Sequence, residues 1–273
     1  MTHIRFIGLT FLLAAAAFNA DARQAAPLLP ALQPDAAGRV EIKRDQFISK
    51  DFAISVAAAA QKTHTDPALL FALMKRAEFA SRTYGADAAR DPTAPVGGPY
   101  AYGSAHWLRD LALYGKDAGY DEFAAAVAPL ASGELAIADP DVRSRAMAAR
   151  IDPYLSSFLA AKAWQRARKE LGALRVPSDG LVMIAFVAGV RFAEDLAQRC
   201  NDNRTELLKK AVGDDLDVLL IMVGLPTRDG RLDAEWMVEN FVDAITGLLR
   251  DEISAYSAAR RINVPDDYRP PAS

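Results

Sequence analysis

The sequence predicts an all-α protein of about eight to ten helices. Three Asp-Pro pairs, at Asp66, Asp139 and Asp152, precede stretches with helical periodicity. A carboxylate at the N-cap followed by proline at the first helical position is a common helix start. From Phe47 onward apolar residues recur at intervals of three and four. The alternating β-branched runs that are typical of strands are not found there.

The first 22 residues have the pattern of a signal peptide. Arg5 supplies the positive charge, Phe6 to Phe18 form an apolar region, and Ala20-Asp21-Ala22 fits a cleavage site for small residues. The apolar region is too short for a comfortable membrane span, and no cysteine follows it. We therefore expect export to a bacterial periplasm, cleavage before Arg23, and a mature chain that is soluble and has no stable membrane span.

Proline content separates two further segments from the helical domain. Residues 23–45 carry Pro27, Pro30 and Pro34 among alanines, which predicts an extended linker. Residues 46–262 form the predicted helical domain, and residues 263–273 form a loose C-terminal tail because they are rich in proline and poor in apolar residues.

Charge and composition exclude several classes of function. The net charge of −3 and the lack of a basic block argue against nucleic acid as a partner. Cys200 is the single cysteine, so neither an internal disulfide nor a cysteine metal cluster can form. The only histidines are His3, His64 and His106. We therefore expect no metal site and no cofactor.

The remaining helices are placed by their caps and breaks. Ser178 is the expected cap of a buried apolar helix, which bends at Gly189. In chain order after the central pair, the predicted helices are Asp121 to Ala131, one from Asp139-Pro140, one from Asp152-Pro153 to Leu171-Gly172, Leu181 to Val190, Arg191 to Arg199, Asp215 to Val223, and Asp233 to Tyr256.

The central pair of helices, over residues 65–115, carries the side chains that could take part in catalysis or ligand binding. The first helix starts at Asp66-Pro67, runs to about Ala80, and has an apolar stripe flanked by Glu78. A carboxyl at the rim of an apolar face can be partly desolvated and can then act as a general acid. The alternative, a solvated surface residue, is the more common situation for such a glutamate.

Aromatic residues and His106 surround the loop between these helices. Tyr84, Tyr100, Tyr102 and His106 could line a groove and bind saccharide through ring stacking and hydrogen bonds. For the two loop tyrosines we favour the groove. For Trp107 we favour an anchoring role, because it shares a stripe with Leu111 and Tyr114. Gly97 and Gly98 permit either close approach of a ligand or a simple turn.

Several of these segments resemble the soluble lytic transglycosylases, lysozyme-like enzymes that cleave peptidoglycan glycan strands. The helix from Thr65 to Arg76 resembles the one that introduces their catalytic Glu-Ser pair. The segments 98–102 and 106–108 resemble their Gly-Leu-Tyr-Gln-Phe and Thr-Trp-Leu motifs. The similarity covers residues 47–250, with further motifs in the same order. It implies a lysozyme-like helical domain and glycan strands as partner.

This chain differs from that family at the positions of the family's polar site residues. Ala77 stands at the position of the catalytic Glu, and Glu78 stands at that of the following Ser. Ala101 and Ala185 stand at the positions of a Gln and a His. In the family a single Glu protonates the glycosidic oxygen and then helps to close a 1,6-anhydro ring. Glu78 could replace it only through a helical bulge, because neighbouring helical residues point about 100° apart.

We therefore expect an exported, peptidoglycan-associated protein that binds glycan strands with weak or no cleavage. One alternative is an active lytic transglycosylase that uses Glu78. A second is a helical adaptor for other cell-envelope proteins that makes no contact with glycan.

Overall fold

The computed structural model describes residues 31–83, 96–173, 178–202, 223 and 238–270. Over this part of the chain the protein is all-α, as predicted, with nine α-helices and three short antiparallel hairpins. The predicted signal peptide, Tyr84 and nearly all of the helix predicted from Asp215 lie outside the described residues. None of the described helices is long and apolar enough to cross a membrane.

The helices and strands follow one another in this order: β1 Arg39–Lys43, β2 Gln46–Ser49, α1 Lys50–Thr63, α2 Pro67–Thr83, β3 Val96–Gly97, β4 Tyr102–Gly103, α3 Ser104–Tyr114, α4 Asp121–Ala126, β5 Val127–Pro129, β6 Leu135–Ile137, α5 Pro140–Ala148, α6 Pro153–Glu170, α7 Asp179–Ala188, α8 Val190–Asp202 and α9 Val238–Ala255. Consecutive strands pair as β1 with β2, β3 with β4, and β5 with β6. Short 3₁₀ segments follow α5, α6 and α9.

The predicted helix starts are confirmed by their capping hydrogen bonds. The Asp139 carboxylate accepts from the N–H groups of α5, and the Asp152 carboxylate accepts from those of α6. The Ser178 hydroxyl accepts from the first turn of α7 at 3.3 Å. Gly189 separates α7 from α8 with a φ of 97°, a conformation that favours glycine. Side-chain oxygens therefore satisfy the orphan donors at these helix starts.

Helix α6 is the centre of the core. It packs against α1, α3 and α7, and eleven of its residues are buried. Both α6 and α1 bury many small side chains, which allow two helices to approach closely. In α6 these are Ser156, Ser157, Ala160, Ala161 and Ala163, and in α1 they are Ala53, Ala57, Ala58, Ala59 and Ala60. Helix α9 completes the core by packing on α2 and α7.

The structure corrects the predicted linker over residues 23–45. Its last part forms β1, which pairs with β2 and buries Val40 and Ile42 in the core. The alternation of these two side chains with Arg39, Glu41 and Lys43 is a strand pattern, but it is only five residues long and was not recognised.

The helix predicted over Asp121 to Ala131 is also corrected. It ends at Ala126, because residues 127–129 form β5 and pair with Leu135–Ile137. Pro129 lies at the end of this strand, where its missing N–H costs no ladder hydrogen bond inside a sheet.

The C-terminal tail is docked through residue 270 rather than loose. The Tyr268 hydroxyl forms a hydrogen bond with the Ser55 hydroxyl at 3.1 Å between oxygens. The Tyr268 ring lies 6.2 Å from the ring of Tyr154 on α6. One aromatic side chain thus supplies the apolar contact that the composition of the tail did not indicate.

We predict that Leu159→Ala destabilises the protein by about 2–5 kcal/mol, because Leu159 on α6 is fully buried and its removal leaves a cavity. Chemical denaturation measures this loss. Leu113→Ala on α3 is the matched control, since that side chain is 55% exposed and its removal should change the free energy of unfolding by about 0.5 kcal/mol or less. Equal effects of the two substitutions would contradict the placement of α6.

Candidate functional site

A cleft of about 410 Å³ lies between the first hairpin and helix α2. Its walls are mostly apolar, with a few polar groups from β2 and α2. The lining residues are Ile42, Gln46, Ile48, Phe52, Phe71, Met74, Lys75, Glu78, Gly98, Pro99, Ile151 and Tyr256. A mostly apolar concave surface with a few polar groups is the usual composition of a ligand site.

Helix α2 places Glu78 at the rim of this cleft. Its carboxylate accepts a hydrogen bond from the Lys75 ammonium at 2.6 Å, and the Glu78 side chain is 39% exposed. The two residues are three positions apart, the spacing at which helical side chains meet. The helix is regular from Pro67 to Thr83, so no bulge rotates Glu78 inward. Glu78 therefore lines the cleft without taking the position of Ala77.

Ala77 faces a different neighbour. It packs against Ala101 and Val96 in a small apolar cluster, with Ala77 and Ala101 8% and 9% exposed. Ala101 has a φ of 49°, unusual for a residue other than glycine. The side chains of Ala77 and Ala101 are thus in contact, and both are methyl groups. At this point the protein offers neither a proton donor nor an amide.

The structure does not place Tyr100 and Tyr102 in an open groove, and this corrects their predicted role. Both are 5% exposed. The Tyr100 hydroxyl forms a hydrogen bond with the Ser157 hydroxyl of α6 at 2.9 Å, and burial raises the pKa of Tyr100. Tyr102 packs edge-on against Trp107 with ring centroids 5.4 Å apart. Buried ring faces cannot stack on a sugar, and these side chains instead hold the loop to the core.

Trp107 anchors α3, as expected. It is fully buried, and its indole N–H donates to the carbonyl oxygen of Ala146 on α5 at 2.9 Å. This hydrogen bond satisfies the polar end of the ring inside the core.

His106 is half-buried on α3 and is not among the residues that line the cleft. Desolvation, followed by the charge of Arg109, lowers the pKa of His106 below its ordinary value of 6.5. The buried Asp110 carboxylate opposes that shift, and Arg166 of α6 reinforces it. Arg166 is in turn paired with Asp110 at 2.8 Å. His106 therefore does not share the lining of the cleft with Glu78.

A network of charged side chains near the cleft joins residues that are far apart in the chain. Sequence spacing could therefore not predict it. Glu252 of α9 accepts from the Arg76 guanidinium of α2 at 2.6 Å and from the Lys43 ammonium of β1 at 3.4 Å. The ring of Tyr256 stacks on Phe71, and the Lys43 ammonium lies 5.2 Å above the Tyr256 ring. Arg76 and Glu252 are 176 positions apart in the chain. These contacts join α9 to α2, and Phe71 and Tyr256 also line the cleft.

A second groove of about 560 Å³ lies along the docked tail. It is lined by Ala58, Gln61, Lys62, Lys116, Asp117, Ala118, Gly119, Tyr154, Val264, Pro265, Asp266, Tyr268, Arg269 and Pro270. Charged side chains of both signs are mixed in it, and none of the residues singled out from the sequence lies there. Within the described residues, no three His, Cys, Asp or Glu side chains are grouped so that they could hold a metal ion.

Neither the known family models nor the curated proteins include a match to this chain.

We predict that the protein loses stability as the pH falls below about 6.5, in part because of His106. Its folded-state pKa is lowered, so below 6.5 the unfolded chain binds more protons than the folded one. The His106 contribution is present above pH 6.5 and is lost as the pH falls through the folded-state value.

Denaturation curves of wild type and His106→Gln between pH 7.5 and pH 5 test this, at about half-unit steps. The difference in the free energy of unfolding between wild type and His106→Gln should change over that pH interval. His64→Asn is the control, since His64 is an exposed helix C-cap with a φ of 55°, which asparagine also adopts. A difference that is constant with pH would contradict the role of His106.

Proposed function

We propose that this chain is an exported, peptidoglycan-associated protein with a lysozyme-like, lytic-transglycosylase-like fold. It binds glycan strands in the cleft at Glu78 and cleaves them weakly or not at all. Peptidoglycan is its partner, and the bacterial periplasm is its location. The observation that carries this proposal is the contact between Ala77 and Ala101 beside an intact cleft.

Binding is supported by the composition of the cleft. Gln46, Lys75 and Glu78 supply hydrogen-bond donors and acceptors for saccharide hydroxyl and acetamido groups. The apolar side chains of Phe52 and Met74 lie in the same walls, and they suit the C–H faces and methyl groups of N-acetylated sugars. Because Tyr100 and Tyr102 are buried, binding through this cleft depends on these other residues.

The lack of efficient cleavage is supported by the chemistry of the same region. Cleavage of a glycosidic bond generally needs a carboxylic acid that protonates the leaving oxygen. Ala77 has no such group, and Glu78 forms an ion pair with Lys75 at 2.6 Å. The lysine favours the ionised carboxylate, which has no proton to donate.

The active-enzyme alternative has one observation in its favour, because Glu78 does line the cleft. In that alternative, the glycan would displace Lys75 and leave the carboxyl desolvated and protonated. The adaptor alternative is favoured only by the apolar walls, which could equally receive a protein segment. Binding to glycan and release of cleavage products separate these three functions.

We predict that the protein lacking residues 1–22 sediments with purified peptidoglycan sacculi but releases little or no anhydro-muropeptide from them. Release is measured by chromatography of the soluble fraction, with an active lytic transglycosylase as reference. Release that disappears in Glu78→Gln would establish Glu78 as a catalytic acid. The absence of both sedimentation and release would overturn the proposal and leave the adaptor function.

We predict that Glu78→Ala weakens sacculus binding about tenfold, which corresponds to about 1.4 kcal/mol for the loss of a charged hydrogen-bonding group. Glu134→Ala removes the same charge from an exposed turn outside the cleft and is the control. If the two substitutions have the same effect, glycan does not bind in this cleft.

A further inference from the structure

Arg150 carries a buried guanidinium that contacts two parts of the backbone. It directly follows α5, in a 3₁₀ turn, and is only 1% exposed. Its Nε donates to the carbonyl oxygen of Met147 at 3.1 Å, and its Nη1 donates to the carbonyl oxygen of Tyr102 at 3.2 Å. The second bond joins it to β4, 48 residues away. One guanidinium therefore bridges two backbone segments.

The loop over residues 96–103 is shaped to receive this side chain. A Cβ atom added at Gly97 would lie 2.9 Å from the Arg150 Cζ, and one added at Gly98 would lie 2.0 Å from the Arg150 carbonyl oxygen. Gly98 also has a φ of 75°. Both approaches are closer than a real Cβ tolerates, so Gly98 is required by the Arg150 backbone, and a side chain at Gly97 would have to displace the Arg150 guanidinium.

The same loop forms one wall of the candidate cleft. Gly98 and Pro99 line the cleft, and so does Ile151, the residue directly after Arg150. The loop is closed by a hydrogen bond from the Ala101 N–H to the Gly98 carbonyl oxygen at 3.1 Å. The position of this wall is therefore determined by the contacts of Arg150 on one side and by the buried Tyr100 and Tyr102 on the other.

We propose that Arg150 is a positioning residue, which holds the loop over residues 96–103 in place as a preformed wall of the glycan-binding cleft. Its planar guanidinium donates in two directions at once, which a lysine ammonium on a flexible stem does not reproduce. Burying a cation is costly unless it is well hydrogen-bonded. A wall fixed before the ligand arrives lowers the ordering cost of binding. The part of the proposal that concerns binding rests on the proposed function, and the part that concerns the loop does not.

Backbone hydrogen exchange of the Ala101 N–H tests the positioning role directly. In Arg150→Met and Arg150→Lys, exchange of this amide should be at least tenfold faster than in wild type, while amides in the middle of α6 keep their rates. A merely stabilising residue would accelerate both regions together. Arg143→Met, which removes an exposed charge on the neighbouring α5, should change neither.

Gly97→Ala is a second substitution that should disturb the contact between Arg150 and the same loop. The added methyl group would lie 2.9 Å from the Arg150 Cζ and would push the guanidinium away from Tyr102 while keeping its charge. Combined with Arg150→Met, it should add little further acceleration, because both changes break the same contact. This variant also replaces Arg150→Met should the latter fail to fold. Unchanged Ala101 exchange in Gly97→Ala and in the Arg150 variants overturns the proposal.

Sacculus binding supplies the second readout. Arg150→Met and Arg150→Lys should bind about tenfold more weakly than wild type at unchanged helical content, and Arg143→Met should bind as wild type does. If wild type itself does not bind, the proposed function fails while the exchange result still decides the role of Arg150. If the loop loosens but binding is unchanged, Arg150 positions the loop, and the claim that this loop is a wall of the glycan-binding cleft is overturned.

Discussion

The close contact between α1 and α6 is the constraint on which the rest of the structure depends. Both helices bury many small side chains, and α6 is buried along most of its length. Its remaining faces then hold the other elements. Ser157 forms a hydrogen bond with Tyr100 of the cleft loop, Arg166 pairs with Asp110 of α3, and Tyr154 packs against Tyr268 of the tail. The loop, α3 and the tail are therefore all positioned from one helix.

The sequence predicted the features that local physics determines and missed those that depend on distant partners. The helix starts at Asp139, Asp152 and Ser178 were predictable because a cap and the N–H groups that donate to it lie within three residues. The first hairpin was missed because its two buried residues, within a five-residue strand, give a weak pattern. The network around Glu252 was missed because its partners lie on distant parts of the chain, and no local pattern joins them.

At the candidate site, the sequence reasoning assigned the two loop tyrosines to the wrong surface. Tyr100 and Tyr102 were expected in a groove because loops often carry function, yet their rings were needed to hold the loop in the core. The adjacent Ala77 and Ala101 form an apolar contact. Glu78, on another face of the same helix, lines the cleft. The cleft thus has a carboxylate at its rim, while the neighbouring position of the same helix carries only a methyl group.

The most direct measurement is an amide chemical-shift titration of the isotope-labelled protein with a defined peptidoglycan glycan fragment. Binding in the proposed cleft should shift the amides of Gln46, Lys75 and Ile151, which come from three separate segments of its walls. The amides of Lys62 and Lys116, in the groove along the tail, should keep their positions. Shifts confined to that second groove, or no shifts at all, would contradict glycan binding at the Glu78 cleft.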